Sequence, residues 1–309
     1  MNDKQPSHPN CRVCRSADTI YLCRTPNERG NTRILHHYRC AQCGCVFIGN
    51  NVDAEDLSLA YSTLDSANYY KETERPNRSK MAGAVARLKE LVPTSGSIID
   101  IGTGSGLFVE MLREAGFSNV SAHEIPGADL SGLKGTASHI YQDFDYSTIP
   151  TAGFDAVTML DVLEHVIDPG YLIDNCSRIL AADGTIYFHT PVVTRTDRMM
   201  HSFQKLPVLK KIGRMWQRGR SSIFHLENYT PKALTSLLQR SGFGDIRIEV
   251  TNELSWPVTR YIRNYLLAKQ GLPTFLAPLF YPLLYPILAT NWFNANKAIV
   301  SARRLQDAA

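Results

Sequence analysis

Eleven residues, Ile98-Ile99-Asp100-Ile101-Gly102-Thr103-Gly104-Ser105-Gly106-Leu107-Phe108, constrain this chain more than any other stretch. Ile98, Ile99 and Ile101 are apolar and β-branched, as a central strand requires. Gly102, Gly104 and Gly106 follow at alternate positions, where a side chain would block close backbone approach. Phe108, Met111, Leu112 and Ala115 then recur at helical spacing, and Gly116 supplies a stop. Strand, glycine turn and helix start, in that order, aim backbone N–H groups and the positive end of a helix dipole at a ligand above the turn.

Dinucleotide enzymes use G-x-G-x-x-G to take a pyrophosphate. Here the third glycine comes one position early, and Leu107 stands where that glycine would be. The form D-x-G-x-G-x-G instead resembles the first motif of class I S-adenosylmethionine-dependent methyltransferases; an ordinary tight turn is the bland alternative. A second match lies further on. Residues 154–161 (FDAVTMLD) read as a strand buried on both faces, and Asp161-Val162-Leu163-Glu164-His165-Val166-Ile167-Asp168-Pro169 follows it. That segment resembles the D-V-L-E-H-x-x-D-P motif of the small-molecule and quinone-type members. It falls at the carboxyl end of a strand, where open α/β sheets bind ligands. Two matches in this order place the resemblance over residues 70–250.

The resemblance implies an α/β fold: a Rossmann-like, seven-stranded, mostly parallel sheet with helices on both faces. Alternating strand and helix patterns agree, with further strands expected at 120–125, 138–141, 185–190, 245–250 and 298–302. It implies S-adenosyl-L-methionine as methyl donor, held at Asp100, Gly102, Thr103, Gly104, Gly106 and Asp161. Glu124 lies about twenty residues past the turn at the end of the second strand, where a carboxylate can accept both ribose hydroxyls. Asp143 and Phe144 match the family's adenine contacts, an acid for the amino group and an apolar neighbour for the ring; a plain loop is the competing reading. His225, in the pattern H-L-x-x-Y-T-P, matches a histidine on the substrate side. His165, His189 and His225 are the available general bases, with Glu164 behind them; a well-packed structural histidine is the competing reading of each. Tyr70 is a weaker candidate near the methionine end.

Six of seven cysteines precede residue 46. Cys11-Arg12-Val13-Cys14 and Cys40-Ala41-Gln42-Cys43 form two CxxC turns, spaced to close a four-sulfur structural zinc site. The residues between them read as short ribbon strands. Fifty residues bury too little apolar surface to be stable easily, so the metal substitutes for a core. Cys23 and Cys45 are left over and suit small buried hydrophobes. His36 and His37 are alternative ligands, but four thiolates already fill a tetrahedron.

The expected organisation is a zinc ribbon over 1–50, a helical connector or lid over 51–95, and a methyltransferase domain over 96–304 with insertions at 192–226 and 252–296. A net charge of +4 and no dense basic run with interleaved aromatics in the ribbon argue against nucleic acid. No apolar signal core opens the chain, which predicts a cytoplasmic location. Residues 195–220 are basic and interleaved with Met, Phe, Leu, Ile and Trp. Residues 272–289 are almost wholly apolar but interrupted by prolines, which predicts an apolar flap or shallow foot rather than a spanning helix. Both stretches suit contact with the inner face of a membrane; a cap, a buried flap or a dimer contact competes. Sugar C-methyltransferases resemble this order of zinc module then methyltransferase. The expected acceptor is therefore a small molecule or glycan, anionic, a nucleotide-linked or lipid-linked sugar first and a lipid or quinone second. A nucleic-acid or protein methyltransferase and a catalytically silent scaffold are the remaining classes.

Overall fold

A computed structural model describes residues 8–26, 34–50, 52, 66–203, 206–220, 225–253, 257–268 and 271–306, with backbone alone at 66–76, 218–220 and 265–266. Residues 53–65 of the expected connector and the Tyr70 side chain lie outside what is described. The chain forms two compact units whose segments interleave. The first gathers Met1–Thr63, Pro191–Leu234 and Val250–Ala298, and the second Leu64–Thr190, Thr235–Glu249 and Ile299–Ala309.

In the first unit, β1 (Thr19–Pro26), β2 (Ile34–Cys40) and β3 (Val46–Ile48) form an antiparallel ribbon. A fourth strand, β9 (Glu227–Asn228), pairs antiparallel with β3 at its edge. Arg12 links the same elements, donating to Glu227 Oε1 at 2.9 Å and to the carbonyls of Ile48 and Asn50. Glu227 is fully buried, so this ion pair balances the charge of a carboxylate that water cannot reach. Thr230 Oγ1 donates to the Cys43 carbonyl and caps the helix that follows, accepting from the Ala233 N–H.

Helices α4 (Arg195–Phe203) and α5 (Lys210–Arg220) form the basic stretch. Asp197, an acid in its midst, is buried; it accepts from Trp216 Nε1 at 2.7 Å and from the Thr194 N–H at 2.9 Å. Behind them, α7 (Val258–Tyr261) runs into a π-turned segment, Ile262–Leu267. Then come α8 (Ala277–Ala289) and a short α9 (Asn291–Asn294). Met200, Trp216, Val258, Ile262, Leu267, Ala277 and Leu288 make one core among them.

Residues 277–289 differ from the flap expected of a proline-broken segment, for the helix is continuous. Pro278 sits in its first turn, where no N–H partner is needed. Pro282 and Pro286 follow at four-residue spacing and are exposed like Pro278, so the carbonyls they leave unpaired lie along one outer stripe. Among the described residues no helix is long and apolar enough to cross a membrane.

The second unit is built on a seven-stranded sheet of order β10-β11-β8-β7-β4-β5-β6. Its strands are β4 (Ser97–Ile101), β5 (Asn119–Glu124), β6 (Ile140–Gln142), β7 (Phe154–Leu160), β8 (Leu180–Pro191), β10 (Phe243–Thr251) and β11 (Lys297–Arg304). The pairs β4–β5, β5–β6, β4–β7 and β7–β8 are parallel. Helices α1 (Ser66–Leu91), α2 (Leu107–Glu114), α3 (Pro169–Ile179) and α6 (Pro231–Arg240) complete the chain's order. Leu88 and Val92 pack with Ile98, Val109, Leu112, Phe117 and Val120 in the core beside β4; burying each such side chain is worth about 1.5–3 kcal/mol. β8 starts earlier than the strand expected at 185–190 and carries a bulge near its start. Phe154 pairs with Leu180 and Ala156 with Thr185, so the intervening residues loop out with Asp183 at φ 62°.

The chain passes from β4 to β5 on one side, and β7 lies on the other. This reversal is the topological switch point at which such sheets take ligands, beyond the carboxyl ends of the strands. It places the glycine turn, the end of β5 and the segment after β7 around one opening in the second unit.

Candidate active site

The glycine turn leaves β4 in a conformation only glycine accepts readily. Gly102, Gly104 and Gly106 have φ of 68°, 56° and 83°. The N–H groups of Gly102 and Thr103 both donate to the His123 carbonyl of β5, at 2.9 and 3.2 Å. A Cβ on Gly102 would stand 2.7 Å from Val162 Cγ2, and one on Gly106 2.6 Å from Leu133 Cδ2. The turn is thus pressed against the segment after β7 on one side and a buried leucine on the other.

Glu124 closes the turn from β5. Its Oε2 accepts from the Gly104 N–H at 2.8 Å and its Oε1 from the Ile125 N–H at 2.9 Å. Each oxygen keeps a further acceptor direction, and the side chain is only half-buried, so a vicinal diol can still be bound. That pair of acceptors fits the ribose hydroxyls of adenosylmethionine. Beneath it, Asp100 is buried on β4 and accepts from Thr158 Oγ1 at 2.6 Å. Burial pushes its carboxyl up to about 7, against the pull of the Thr158 hydrogen bond.

Asp143 is occupied differently from the adenine contact expected of it. One oxygen accepts from the Tyr146 N–H and faces His123 Nε2 at 3.2 Å. The other accepts from the Thr148 N–H at 3.1 Å and from its hydroxyl. Burial would raise this carboxyl, but the Thr148 and Tyr146 hydrogen bonds and His123 hold it below the usual range. Its acceptor directions are spent inside the loop, which it braces against β5. Phe144 beside it is 71% exposed, a bare ring at the carboxyl edge of the sheet.

After β7 the chain turns through Asp161, exposed at φ 59°, whose N–H donates to the His189 carbonyl. A short 3-10 turn, Leu163–His165, follows. It brings together Glu164 and His165, with 3.9 Å between Glu164 Oε1 and His165 Nε2. Glu164 is 1% exposed and accepts from Thr190 Oγ1 at 3.0 Å, while the His165 side chain is 23% exposed. At 3.9 Å the carboxylate makes no hydrogen bond to the half-open imidazole and acts on it through its charge. His189 is turned to another partner, the Tyr187 hydroxyl, at 2.8 Å. His225 belongs to the first unit, half-buried, two residues before β9.

Thr158, Thr190 and Thr148, which hold Asp100, Glu164 and Asp143, were not singled out by the sequence. For the first two a signal existed: each is a hydroxyl in an otherwise apolar strand at the height of a motif acid, and buried hydroxyls need partners.

The four-cysteine cluster lies in the first unit. Sγ atoms of Cys11, Cys14, Cys40 and Cys43 all fall within 4.8 Å of one another. Cys11 and Cys43 stand 3.6 Å apart, and Cys14 and Cys40 3.4 Å. Sulfurs bound tetrahedrally at about 2.3 Å are separated by about 3.8 Å, so the residues fit a closed zinc site. Cys23 and Cys45 are buried elsewhere, and burial pushes the Cys45 thiol well up, as for an inert apolar side chain.

The glycine turn, an acid on the neighbouring strand and the switch point between β4 and β7 define an α/β domain whose ligand-binding edge lies beyond the carboxyl ends of its strands. The chain belongs to the methyltransferase domain family, whose model matches residues 73–248. Among curated relatives, it is 28% identical to a ubiquinone biosynthesis O-methyltransferase of Thiobacillus denitrificans, over 46% of this chain and 64% of that one. It is 32% identical to the protein of that name from Idiomarina loihiensis, over 45% of this chain and 61% of that one. The chain therefore spans less than two thirds of the length of these relatives. Among solved structures, a chain from the complex between the Haloferax volcanii Trm112 methyltransferase activator and its methyltransferase shares the fold. Its TM-score is 0.56 at 15% identity, covering 79% of this chain and 96% of that one.

Proposed function

We propose that the chain is an S-adenosylmethionine-dependent methyltransferase acting on a small molecule. When bound, the donor supplies an activated methyl group on a sulfonium, so the protein's part is positioning, exclusion of water and handling of one proton. In this reading the Gly102–Gly106 turn takes the methionine end with Asp100, Thr103 and Asp161 around it. Glu124 grips the ribose hydroxyls and Phe144 packs on the adenine, beside the loop that Asp143 braces. His165 accepts the proton of an acceptor hydroxyl, with the Glu164 carboxylate as the charge behind the ring. His225 retains its assignment to the acceptor side on the H-L-x-x-Y-T-P resemblance alone. Zinc in the Cys11, Cys14, Cys40 and Cys43 site has a structural role, because four thiolates leave no open position.

The single observation that carries the reading is the Glu124 carboxylate hydrogen-bonded to Gly104 within a positive-φ glycine turn. For the acceptor, the names of the curated relatives favour a hydroxylated quinone precursor over the nucleotide-linked or lipid-linked sugar that the zinc-module order suggested. The experiment is methyl transfer from labelled adenosylmethionine to a panel of polyprenylated catechols, nucleotide sugars and RNA. Label in the catechols, reduced at least tenfold in His165→Ala, supports this reading. Label confined to nucleotide sugars would return the acceptor to the glycan class, and label confined to RNA would overturn both.

A further inference from the structure

We propose that the first unit docks on an anionic lipid bilayer. Helix α8 is its apolar foot, and a pocket between Arg260 and Arg263 is the seat of a lipid phosphate. This inference goes beyond methyl transfer and does not depend on it.

Residues 271–296 contain no Asp, Glu, Lys or Arg, and 254–306 contain no acid at all. Ala277 and Leu288 of α8 are buried in the core of the unit, and Tyr281 and Leu284 pack against that core. The opposite side of the helix is as apolar as the inner one. Leu279 and Leu283 are 75% and 66% exposed, and Phe275 in the turn before them is 79% exposed. A helix apolar all round, with one face committed to a core, needs a second apolar medium for the other. Thirteen helical residues reach about 20 Å, too short for a hydrocarbon core of about 30 Å. Such a helix lies in the interface rather than across it.

Charge identifies the medium. Thr259, Arg260, Arg263, Asn264 and Tyr281 line a pocket of about 430 Å³ against the foot. Both arginines are exposed, and Tyr281 belongs to the foot itself. Two guanidiniums with hydroxyl and amide donors suit a phosphate. Helix α5, packed into the same core through Trp216, adds exposed Lys210, Lys211 and Arg214. Asp197, the acid of that stretch, is buried and engaged by Trp216, so it neutralises none of them at the surface. Arg195 lies 3.7 Å over the ring of Trp292, which is 64% exposed, an arrangement suited to the headgroup layer. A second copy of the chain would bring the same cations face to face with no acid from 254–306 between them. A bilayer offers hydrocarbon and phosphate together.

The test is flotation of the full, zinc-loaded chain with vesicles of phosphatidylcholine alone or with about one third phosphatidylglycerol. The wild-type chain should float with the anionic vesicles, less so at high salt. Phe275→Ser/Leu279→Ser/Leu283→Ser should lose at least tenfold in partitioning. Arg260→Gln/Arg263→Gln, whose apolar foot is intact, should lose about fivefold per charge removed. Unchanged flotation in both variants, or no flotation of the wild-type chain, would overturn the proposal. So would a concentration-dependent dimer, abolished by the serine variant, in a chain that ignores vesicles. Adenosylmethionine affinity, measured on the same preparations, should not move in either variant, which separates a failure here from a failure of the methyltransferase reading.

Discussion

The backbone N–H of Gly104 donates to the carboxylate of Glu124 across 2.8 Å, joining the glycine turn to the end of β5. The other oxygen is fixed by the Ile125 N–H. The carboxylate is therefore aimed before any ligand arrives. Recognition of a diol by a pre-aimed acceptor loses little entropy on binding. The same bond holds the turn in its left-handed glycine conformation, so the carboxylate and the turn fix one another.

The crowding around that turn separates two glycines that share a left-handed backbone conformation. Gly102 has φ 68° and its added Cβ would meet Val162 at 2.7 Å; Gly116 has φ 97° and nothing within 4 Å. Gly116→Ala should cost about 1–2 kcal/mol of stability, the strain of the left-handed region alone, and leave cofactor affinity intact. Gly102→Ala should cost more than Gly116→Ala and lower adenosylmethionine affinity at least tenfold, because Val162 or the turn must move. Thermal unfolding and calorimetric titration of the two variants side by side check this.

A metal prediction concerns the ribbon. Chelation, or Cys14→Ser, should release about one zinc per chain and lower the midpoint of unfolding of the first unit, since the four thiolates replace a core. Arg12→Ala leaves the buried Glu227 carboxylate without its charge partner and should cost about 2–4 kcal/mol. Adding Glu227→Gln should recover part of that loss. Metal content and circular dichroism melting measure both effects; an Arg12→Ala chain as stable as wild type would show the ion pair to be idle.

Asp100 gives a pH signature. Its folded carboxyl titrates at about 7 because it is buried, against an ordinary value of 3.8. The native chain thus keeps a proton that the unfolded chain has released between these values. The contribution is complete below the lower value, and stability falls as pH rises from about 4 to about 7. Asp100→Asn cannot ionise and lacks that fall. Between pH 5 and pH 8 the wild-type chain should lose of order 1–3 kcal/mol more unfolding free energy than the variant. Denaturant titrations at the two pH values give the difference directly, and equal losses would contradict it.

How much of this was legible in the sequence follows from the range of the interactions. The strand-turn-helix at 98–114 and the CxxC pairs are local patterns, and both formed where spacing put them. The place of Glu124 beside the turn was legible because twenty residues are the length of one helix and one strand in such a fold. The pairing of β3 with β9, and of Arg12 with Glu227, joins residues about two hundred positions apart. A two-residue strand with one buried acid carries no periodicity from which that partner could be read. The occupation of Asp143 was hidden for a related reason. An acid at that point in the chain can serve a ligand or its own loop, and only the positions of Thr148 and Tyr146 decide which. The continuity of α8 was obscured because proline is a helix breaker on average. Three prolines in register along an exposed stripe leave the inner face, where packing holds the helix, undisturbed.

The most direct measurement is calorimetric titration of the zinc-loaded chain with adenosylmethionine, for the wild type and for Glu124→Gln. The wild type should bind saturably and one-to-one, and the variant should lose at least tenfold in affinity, about 1.4 kcal/mol. No binding by the wild type, or equal affinity in the two, would contradict this.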